Sequence, residues 1–206
     1  MAAAVRIIAS DGIDALTMRR LAEEAGVSSR TPYNLFDSKT DILTAIMLEA
    51  MEPLQQHDAQ DNQGLALADL VQHLEALLAL NSERQAFFRS VHWSIMRSDD
   101  MEAKLQGRLV LNRMIGDHID EAMANGELKP DCDATSLALH TSTLLAAILG
   151  MWADQQLTLR EAGGHTRHAW SNSLMPHARG KALRYLKDTE AGVVTGEYPE
   201  PTGKIA

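Results

Sequence analysis

The stretch TMRRLAEEAGVSSRTPYNLFDSK, residues 17–39, decides the fold, because it reads as two short helices joined by a tight turn. Gly26 stands where the first helix must stop and reverse, and glycine enters the left-handed conformation of such a turn without steric cost. We expect the hydroxyl of Ser28 to cap the second helix. The buried side of the unit is predicted to consist of Leu21, Ala22, Ala25, Val27, Leu35 and Phe36.

The second helix is predicted to present a polar and basic face to solvent. An α-helix fits the major groove of DNA, where arginine can bind guanine and asparagine can bind adenine, so Arg30 and Asn34 are the candidates for reading bases. Phosphate oxygens are the expected partners of Thr17, Arg20, Tyr33 and Lys39. A hairpin built only for packing is the alternative, but it has no need of a continuous polar face on so short a helix. The residues predicted to bind DNA are Thr17, Arg19, Arg20, Ser28, Ser29, Arg30, Thr31, Pro32, Tyr33, Asn34 and Lys39.

The N-terminal region resembles the TetR family of repressors over roughly its first fifty residues. The matching features are a first helix ending at Gly12, a helix led by Thr17, the run Ala25-Gly26-Val27-Ser28, the aromatic residues Tyr33 and Phe36, and Ser38-Lys39 at the start of a long helix. The resemblance implies that Thr17 and Lys39 touch phosphate, that Tyr33 lies against the DNA backbone and that residues 29–34 form the recognition helix. Arg30 and Pro32 depart from the family pattern, so an operator preference cannot be carried over.

Composition favours an all-α protein. The chain has 206 residues, of which 45% are apolar and only 4% aromatic, and alanine, leucine and methionine are good helix formers. We expect a three-helix, helix-turn-helix DNA-binding domain over residues 1–45 and a helical ligand-binding and dimerisation domain over 46–188. A disordered tail is expected over 189–206.

The net charge of −9 does not exclude DNA binding, because the field at one face matters more than the sum. Residues 1–51 contain five Lys and Arg against seven Asp and Glu, but Arg19, Arg20, Arg30 and Lys39 cluster in the quoted stretch. We therefore expect modest nonspecific affinity.

The last two long helices are expected over residues 134–156 and 166–187, with a kink near Pro176 and Gly180. The first of them is apolar on nearly every side between Leu144 and Trp152, so it must be covered on more than one face. The family resemblance implies that these two helices pair with their copies across a twofold axis as a four-helix bundle. The sequence thus predicts a homodimer joined through its two C-terminal helices.

Large or polarizable side chains on the predicted helices of the second domain are candidates for lining a ligand pocket. Core packing is the more common role of such residues, and Asn112 could equally mark a tight helix contact. The candidates are Phe88, His92, Trp93, Met96, Asn112, Met114, His118, His140 and Trp152.

Other classes of function have little support in the sequence. The histidines lack the close spacing of a zinc site, so no metal is expected. No nucleophile motif or phosphate-binding glycine loop is present, and we expect neither catalysis nor a cofactor. A single cysteine, Cys132, suits a reducing compartment, and the run 144–152 is too short to span a bilayer. A cytoplasmic protein without membrane association is therefore expected.

The sequence predicts a ligand-responsive transcriptional regulator, most simply a repressor, that binds a palindromic double-stranded operator as a homodimer and is released by a small apolar inducer. An all-helical carrier of small molecules is the alternative from another class. A regulator that responds to a protein, or to nothing, is the second alternative.

Overall fold

The computed structural model describes residues 1–55 and 64–194, which form ten α-helices and no β-strand. The helices are α1 (Ala2–Asp11), α2 (Met18–Ala25), α3 (Arg30–Leu35), α4 (Lys39–Gln55), α5 (Ala66–Glu83), α6 (Gln85–Arg97), α7 (Met101–Ala124), α8 (Ala134–Ala153), α9 (Leu159–Leu174) and α10 (Gly180–Val194). A short 3-10 helix, Ile13–Ala15, lies between α1 and α2. The all-α prediction is confirmed.

The chain divides into two compact units. The first contains Met1–Glu52 and Arg84–Gly107, and the second contains Pro53–Glu83 and the chain from Arg108 onward. The first unit therefore holds α6 as well as the N-terminal helices. The predicted boundary at residue 45 stays a prediction, because compactness alone does not define where a domain folds independently.

The core of the first unit joins α1, α2 and α4 to α6. Ile7 and Ile8 from α1 meet Leu43 and Ile46 from α4, and all four are buried. Val91 and Ile95 from α6 belong to the same apolar cluster, together with Leu16 and Leu21. This core holds α2 in place through Leu21, and Phe36 packs against it directly after α3.

The second unit is built around α8, α9 and α10. Helix α9 packs against α8, α10 and α5. Trp152 and Trp170 are fully buried, and the indole Nε1 of Trp170 donates to the carbonyl of Thr141 at 3.1 Å. Helix α8 is, among the described residues, the one helix long and apolar enough to cross a membrane, although a core helix of a soluble protein passes the same test.

The C-terminal helices differ from the predicted pair. The chain after α8 forms two helices, α9 and α10, where the sequence predicted one kinked helix. Helix α9 also begins well before residue 166, because a capping box between Thr158 and Glu161 starts it. Helix α9 ends at Leu174, and helix α10 begins at Gly180, which has a φ of 60°. A single antiparallel bridge, Leu128 with Ala178, ties this connection to the segment after α7.

Helix α10 continues to Val194, so residues 189–194 are helical and the predicted tail cannot begin at 189. The hydroxyl of Thr189 bonds the carbonyl of Tyr185, and Glu190 pairs with His168 of α9, which helps to hold this last turn. Residues 195–206, and most of the loop predicted at Gln56–Gly64, lie outside the described residues.

Candidate nucleic-acid interface

The turn between α2 and α3 is set by local sequence. The hydroxyl of Thr17 accepts a hydrogen bond from the amide of Arg20 at 3.2 Å, which caps the start of α2. Gly26 ends α2 in the left-handed conformation, with φ 67° and ψ 30°, and the amide of Val27 bonds the carbonyl of Ala22. The predicted stop at Gly26 is confirmed, and it reverses the chain toward α3.

The predicted cap of α3 is wrong. Helix α3 starts at Arg30, after Ser29, and no side chain caps its amides. The hydroxyl of Ser28 instead lies 2.9 Å from the hydroxyl of Thr31, and its carbonyl accepts the amide of Thr31. Ser28 thus stabilises the turn through a side-chain pair and a backbone bond, and its hydroxyl caps no amide of α3.

Helix α3 turns its polar residues to solvent. Arg30, Tyr33 and Asn34 are exposed and Thr31 is half-buried. Pro32 is buried, so this predicted DNA-binding residue lies on the packed side of the helix. The remaining predicted residues outside α3 are exposed or, for Lys39, half-buried: Thr17, Arg19, Arg20, Ser28, Ser29 and Lys39.

Three apolar residues predicted to be buried are exposed: Ala25, Val27 and Leu35. Helix α3 ends at Leu35. The next residue, Phe36, has an extended backbone, and its own ring packs against the apolar core of the first unit. Leu35 is consequently left in solvent, with 69% of its surface exposed. Only Leu21 and Ala22 of the predicted set are fully buried, with Phe36 partly so.

A capping box starts the helix that follows. The amide of Asp41 bonds the hydroxyl of Ser38 at 3.1 Å, and the carboxylate of Asp41 accepts the amide of Ser38 at 3.0 Å. The sequence predicts this capping box from the spacing of Ser38 and Asp41, three residues apart, and the prediction is confirmed. It fixes the first turn of α4 and, with it, the position of Lys39.

The positively charged side chains of residues 17–39 differ in their ion-pair partners. Arg20 pairs with Asp11 at 2.9 Å, Arg19 lies 3.7 Å from Glu23, and Lys39 lies 3.9 Å from Asp14. Arg30 has no acidic partner among the described residues. An unpaired arginine on an exposed helix is available for an external acceptor without first losing an ion pair.

The predicted pocket residues fall into two groups. Phe88, His92, Trp93 and Met96 belong to the first unit. Phe88 is buried and meets Phe87 edge to face, whereas Trp93 and Met96 are largely exposed and the guanidinium of Arg97 covers the Trp93 ring at 4.7 Å. The other five residues, Asn112, Met114, His118, His140 and Trp152, belong to the second unit.

In the second unit, Asn112 has a polar partner. Its Oδ1 accepts the hydroxyl of Ser142 on α8 at 3.0 Å. Met114 and Trp152 are buried, and His140 is exposed.

A histidine pair joins α5 to α7. The rings of His73 and His118 lie 4.6 Å apart, and Nδ1 of His73 lies 3.0 Å from the carbonyl of Asp69. Burial first, and His73 second, lower the pKa of His118, against the opposing charges of Asp69 and Asp117. Nδ1 of His118 is buried without a hydrogen-bond partner among the described residues.

Sequence reasoning missed Asp69 and His73, although a signal was present. The two are four residues apart in an apolar helix, at positions where Leu70 and Leu77 mark the buried face. Within the described part of the chain, no group of three or more His, Cys, Asp or Glu residues is arranged to hold a metal ion.

Comparison with known proteins agrees with this geometry. Residues 1–46 match the family model described as bacterial regulatory proteins, tetR family. The HTH-type transcriptional regulator UidR of Escherichia coli K12 is 23% identical over 156 residues, which cover 74% of this chain and 77% of that protein.

Two solved structures share the fold over nearly the whole chain. Thermus thermophilus FadR, a TetR-family transcriptional repressor in complex with lauroyl-CoA, has a TM-score of 0.62 at 17% identity, covering 98% of this chain and 97% of that one. A gamma-butyrolactone receptor described as ArpA-like has a TM-score of 0.57 at 13% identity and covers 94% of each chain. The matched N-terminal model, the helix-turn-helix geometry of residues 17–39 and the shared all-α fold lead to one conclusion: residues 1–46 form a helix-turn-helix unit of the kind found in bacterial regulatory proteins of the tetR family.

Proposed function

We propose that the chain is a homodimeric, ligand-responsive repressor that binds a palindromic operator in the bacterial cytoplasm. The observation that carries the DNA-binding half is the orientation of α3, which exposes Arg30, Tyr33 and Asn34 while burying Pro32. A short helix with this polar face can enter the major groove and bring its side chains to base edges.

Base reading is assigned to Arg30 and Asn34. The guanidinium of Arg30 can donate two hydrogen bonds to the O6 and N7 acceptors of guanine, and Asn34 can pair with N6 and N7 of adenine. Arg30 suits this role because its charge is not engaged by an acid among the described residues.

Phosphate binding is assigned to Thr17, Arg20, Tyr33 and Lys39. These residues are exposed or half-buried donors near the ends of α2, α3 and α4. Arg20 and Lys39 must exchange their carboxylate partners for phosphate, and this exchange lowers the net gain from each contact. Such contacts fix the register of the protein on DNA without reading its sequence.

Dimerisation is assigned to α8. Its solvent-facing side carries Leu139, Thr143, Ala147 and Met151 at intervals of four residues, and all four are exposed. In contrast, the exposed side of α10 carries Lys181, Arg184 and Lys187, so α8 offers the more apolar surface. Binding to a palindromic operator requires the two α3 helices of an isologous dimer to sit one turn of DNA apart, about 34–36 Å.

An apolar inducer is assigned to the second unit. FadR of Thermus thermophilus was crystallised with lauroyl-CoA, and another structural relative is a butyrolactone receptor. Asn112 with Ser142, and His118 with His73, supply polar groups among buried apolar residues of α5, α7 and α8. Ligand binding would move α4 and change the spacing of the two α3 helices, with a coupling of about 1–3 kcal/mol.

The test of the DNA-binding half uses a site selected from a pool of random duplexes, with affinities measured by fluorescence anisotropy. Arg30→Ala should cost about 1–3 kcal/mol on the selected site and relax the choice at one base pair. Lys39→Ala should weaken selected and random duplexes alike and lower the salt dependence. Equal effects on specific and random DNA in both variants would overturn these roles.

The dimerisation and the ligand response that we propose are tested separately. Ala147→Glu places a carboxylate in the middle of the α8 stripe and should convert the dimer to a monomer in light scattering, whereas Lys181→Glu should not. Compounds found by a thermal-shift screen of fatty acyl esters and lactones should release the selected DNA. An operator affinity that stays constant at saturating compound would contradict the ligand-responsive part alone.

A further inference from the structure

Leu35 is an apolar side chain on the surface where α3 displays its polar groups. With 69% of its surface exposed, it is the most exposed large apolar residue among those the structure describes. Tyr33 on the same helix is 62% exposed. A helix whose only role was to bind phosphates would not need a leucine in water at this position.

Packing within the protein does not account for Leu35. Pro32 and Phe36 are the residues of this segment that turn toward the protein, one buried and the other packed on the apolar core of the first unit. The chain becomes extended at Phe36, with φ −138° and ψ 130°, and this change of direction separates Phe36 from Leu35. The exposed leucine is thus available to a molecule outside the chain.

The size of α3 brings its last residue within reach of base edges. Six residues span about 9 Å along a helix, and the major groove is about 8.5 Å deep and 12 Å wide. A helix this short can lie in the groove over its whole length. Leu35 follows Thr31 by four residues, so the two lie on the same side of the helix, next to the exposed Asn34.

The major groove offers one apolar group, the C5 methyl of thymine. We infer that Leu35 packs against the methyl group of a thymine at one fixed position in each half-site and so selects that base. The inference rests on the proposed placement of α3 in the major groove. Arg30 on the same helix favours DNA as the occupant over an apolar protein partner, because its positive charge has no acidic partner among the described residues.

The test is a double-mutant cycle between Leu35 and thymine methyl groups. Each thymine of the selected site is replaced in turn by uracil, which pairs identically but lacks the methyl, and affinity is measured for the full-length protein and for Leu35→Ala. At one thymine per half-site, the unmodified protein should lose about fourfold in affinity, equivalent to about 0.8 kcal/mol for one methyl group. The same replacement should leave the affinity of Leu35→Ala unchanged.

Control variants distinguish a thymine contact from a general loss of binding or folding. Leu105→Ala changes another exposed leucine of the first unit, on α7, and should retain the full uracil effect. Circular dichroism of Leu35→Ala should match that of the unmodified protein, since an exposed side chain contributes little to the core.

Two results would overturn the inference. The first is a uracil effect that is equal in the unmodified protein and in Leu35→Ala at every thymine. The second is a uniform loss for Leu35→Ala on all sequences, because it would place the leucine against the sugar-phosphate backbone. Failure of the proposed function has a different signature, since the unmodified protein would then select no duplex from the pool.

Discussion

Glu127, a buried carboxylate after α7, caps a helix that lies about sixty residues earlier in the chain. Its Oε1 accepts the amide of Ala66 at 2.7 Å, and its Oε2 accepts the amide of Leu67 at 3.1 Å. Both amides belong to the first turn of α5, where the helix itself offers them no partner. Only 5% of the surface of Glu127 is exposed, so water cannot easily replace the carboxylate.

Glu127→Ala should therefore destabilise the protein strongly. A hydrogen bond to a charged group contributes about 1.5–3 kcal/mol, so two such bonds correspond to about 3–6 kcal/mol. Local rearrangement and entry of water recover part of this stabilisation, so we expect the free energy of unfolding to fall by about 3 kcal/mol. For a chain of this size, that corresponds to a fall in Tm of roughly 6–12 °C. Glu127→Gln should also be destabilising, because it removes the charge and sets its NH2 group against one of the two amide donors.

Urea unfolding at fixed protein concentration, followed by circular dichroism, measures this loss. The matched control is Glu161→Ala, which removes a glutamate from the exposed capping box of α9. Loss of this exposed carboxylate should destabilise the protein much less, because water can replace it as the acceptor of the amide. If Glu127→Ala lowered the free energy of unfolding no more than Glu161→Ala, the reasoning from burial and amide satisfaction would be refuted.

Two further predictions concern charge. Asp11→Asn should tighten binding to random DNA by about 1.4- to 5-fold per protomer at low salt, because it frees Arg20 from an exposed ion pair of about 0.2–1 kcal/mol. Fluorescence anisotropy measures this change. Weaker binding of the variant would mean that Asp11 positions Arg20 for phosphate. Burial and His73 lower the pKa of His118, so below about pH 6.5 the unfolded chain binds more protons at this residue than the folded chain does. The free energy of unfolding should therefore decrease as the pH is lowered through that range. His118→Asn should make this fall shallower in urea unfolding at pH 7.5 and pH 5, whereas a slope equal to that of the exposed control His140→Asn would contradict the assignment.

Features encoded by neighbouring residues could be predicted from the sequence. The reversal at Gly26 and the box between Ser38 and Asp41 each depend on residues three or four positions apart. Side-chain and backbone preferences at this range act before tertiary packing, so composition and spacing are sufficient to locate them. The helix-turn-helix was predictable for that reason.

The inward and outward faces of α3 could not be predicted by the same means. Apolar character alone assigned Leu35 to the core, but the helix ends at that residue and the chain direction changes at Phe36. A pattern with helical period fails where the helix stops, and six residues are too few to correct it. The exposed Leu35 was therefore visible only in the structure.

Contacts between distant segments were also beyond the sequence. Glu127 bonds amides of α5, and His73 meets His118, across gaps that spacing rules do not cover. The early start of α9 had a local signal, since Thr158 and Glu161 form a capping box. Helical periodicity after residue 166 outweighed that signal and placed the start of the helix too late.

The ion pairs on the DNA-facing surface bear on how a chain of net charge −9 can select a site. Asp11 and Asp14 occupy Arg20 and Lys39, the residues assigned to phosphate, while Arg30 has no acidic partner among the described residues. Pairing of this kind reduces the sequence-independent part of the affinity, which depends on the phosphates neutralised. The contacts that we propose between base edges and Arg30, Asn34 and Leu35 would not be reduced in the same way. The arrangement therefore weakens binding to random DNA and to the operator by similar factors, and the ratio of the two affinities is left to the proposed base contacts.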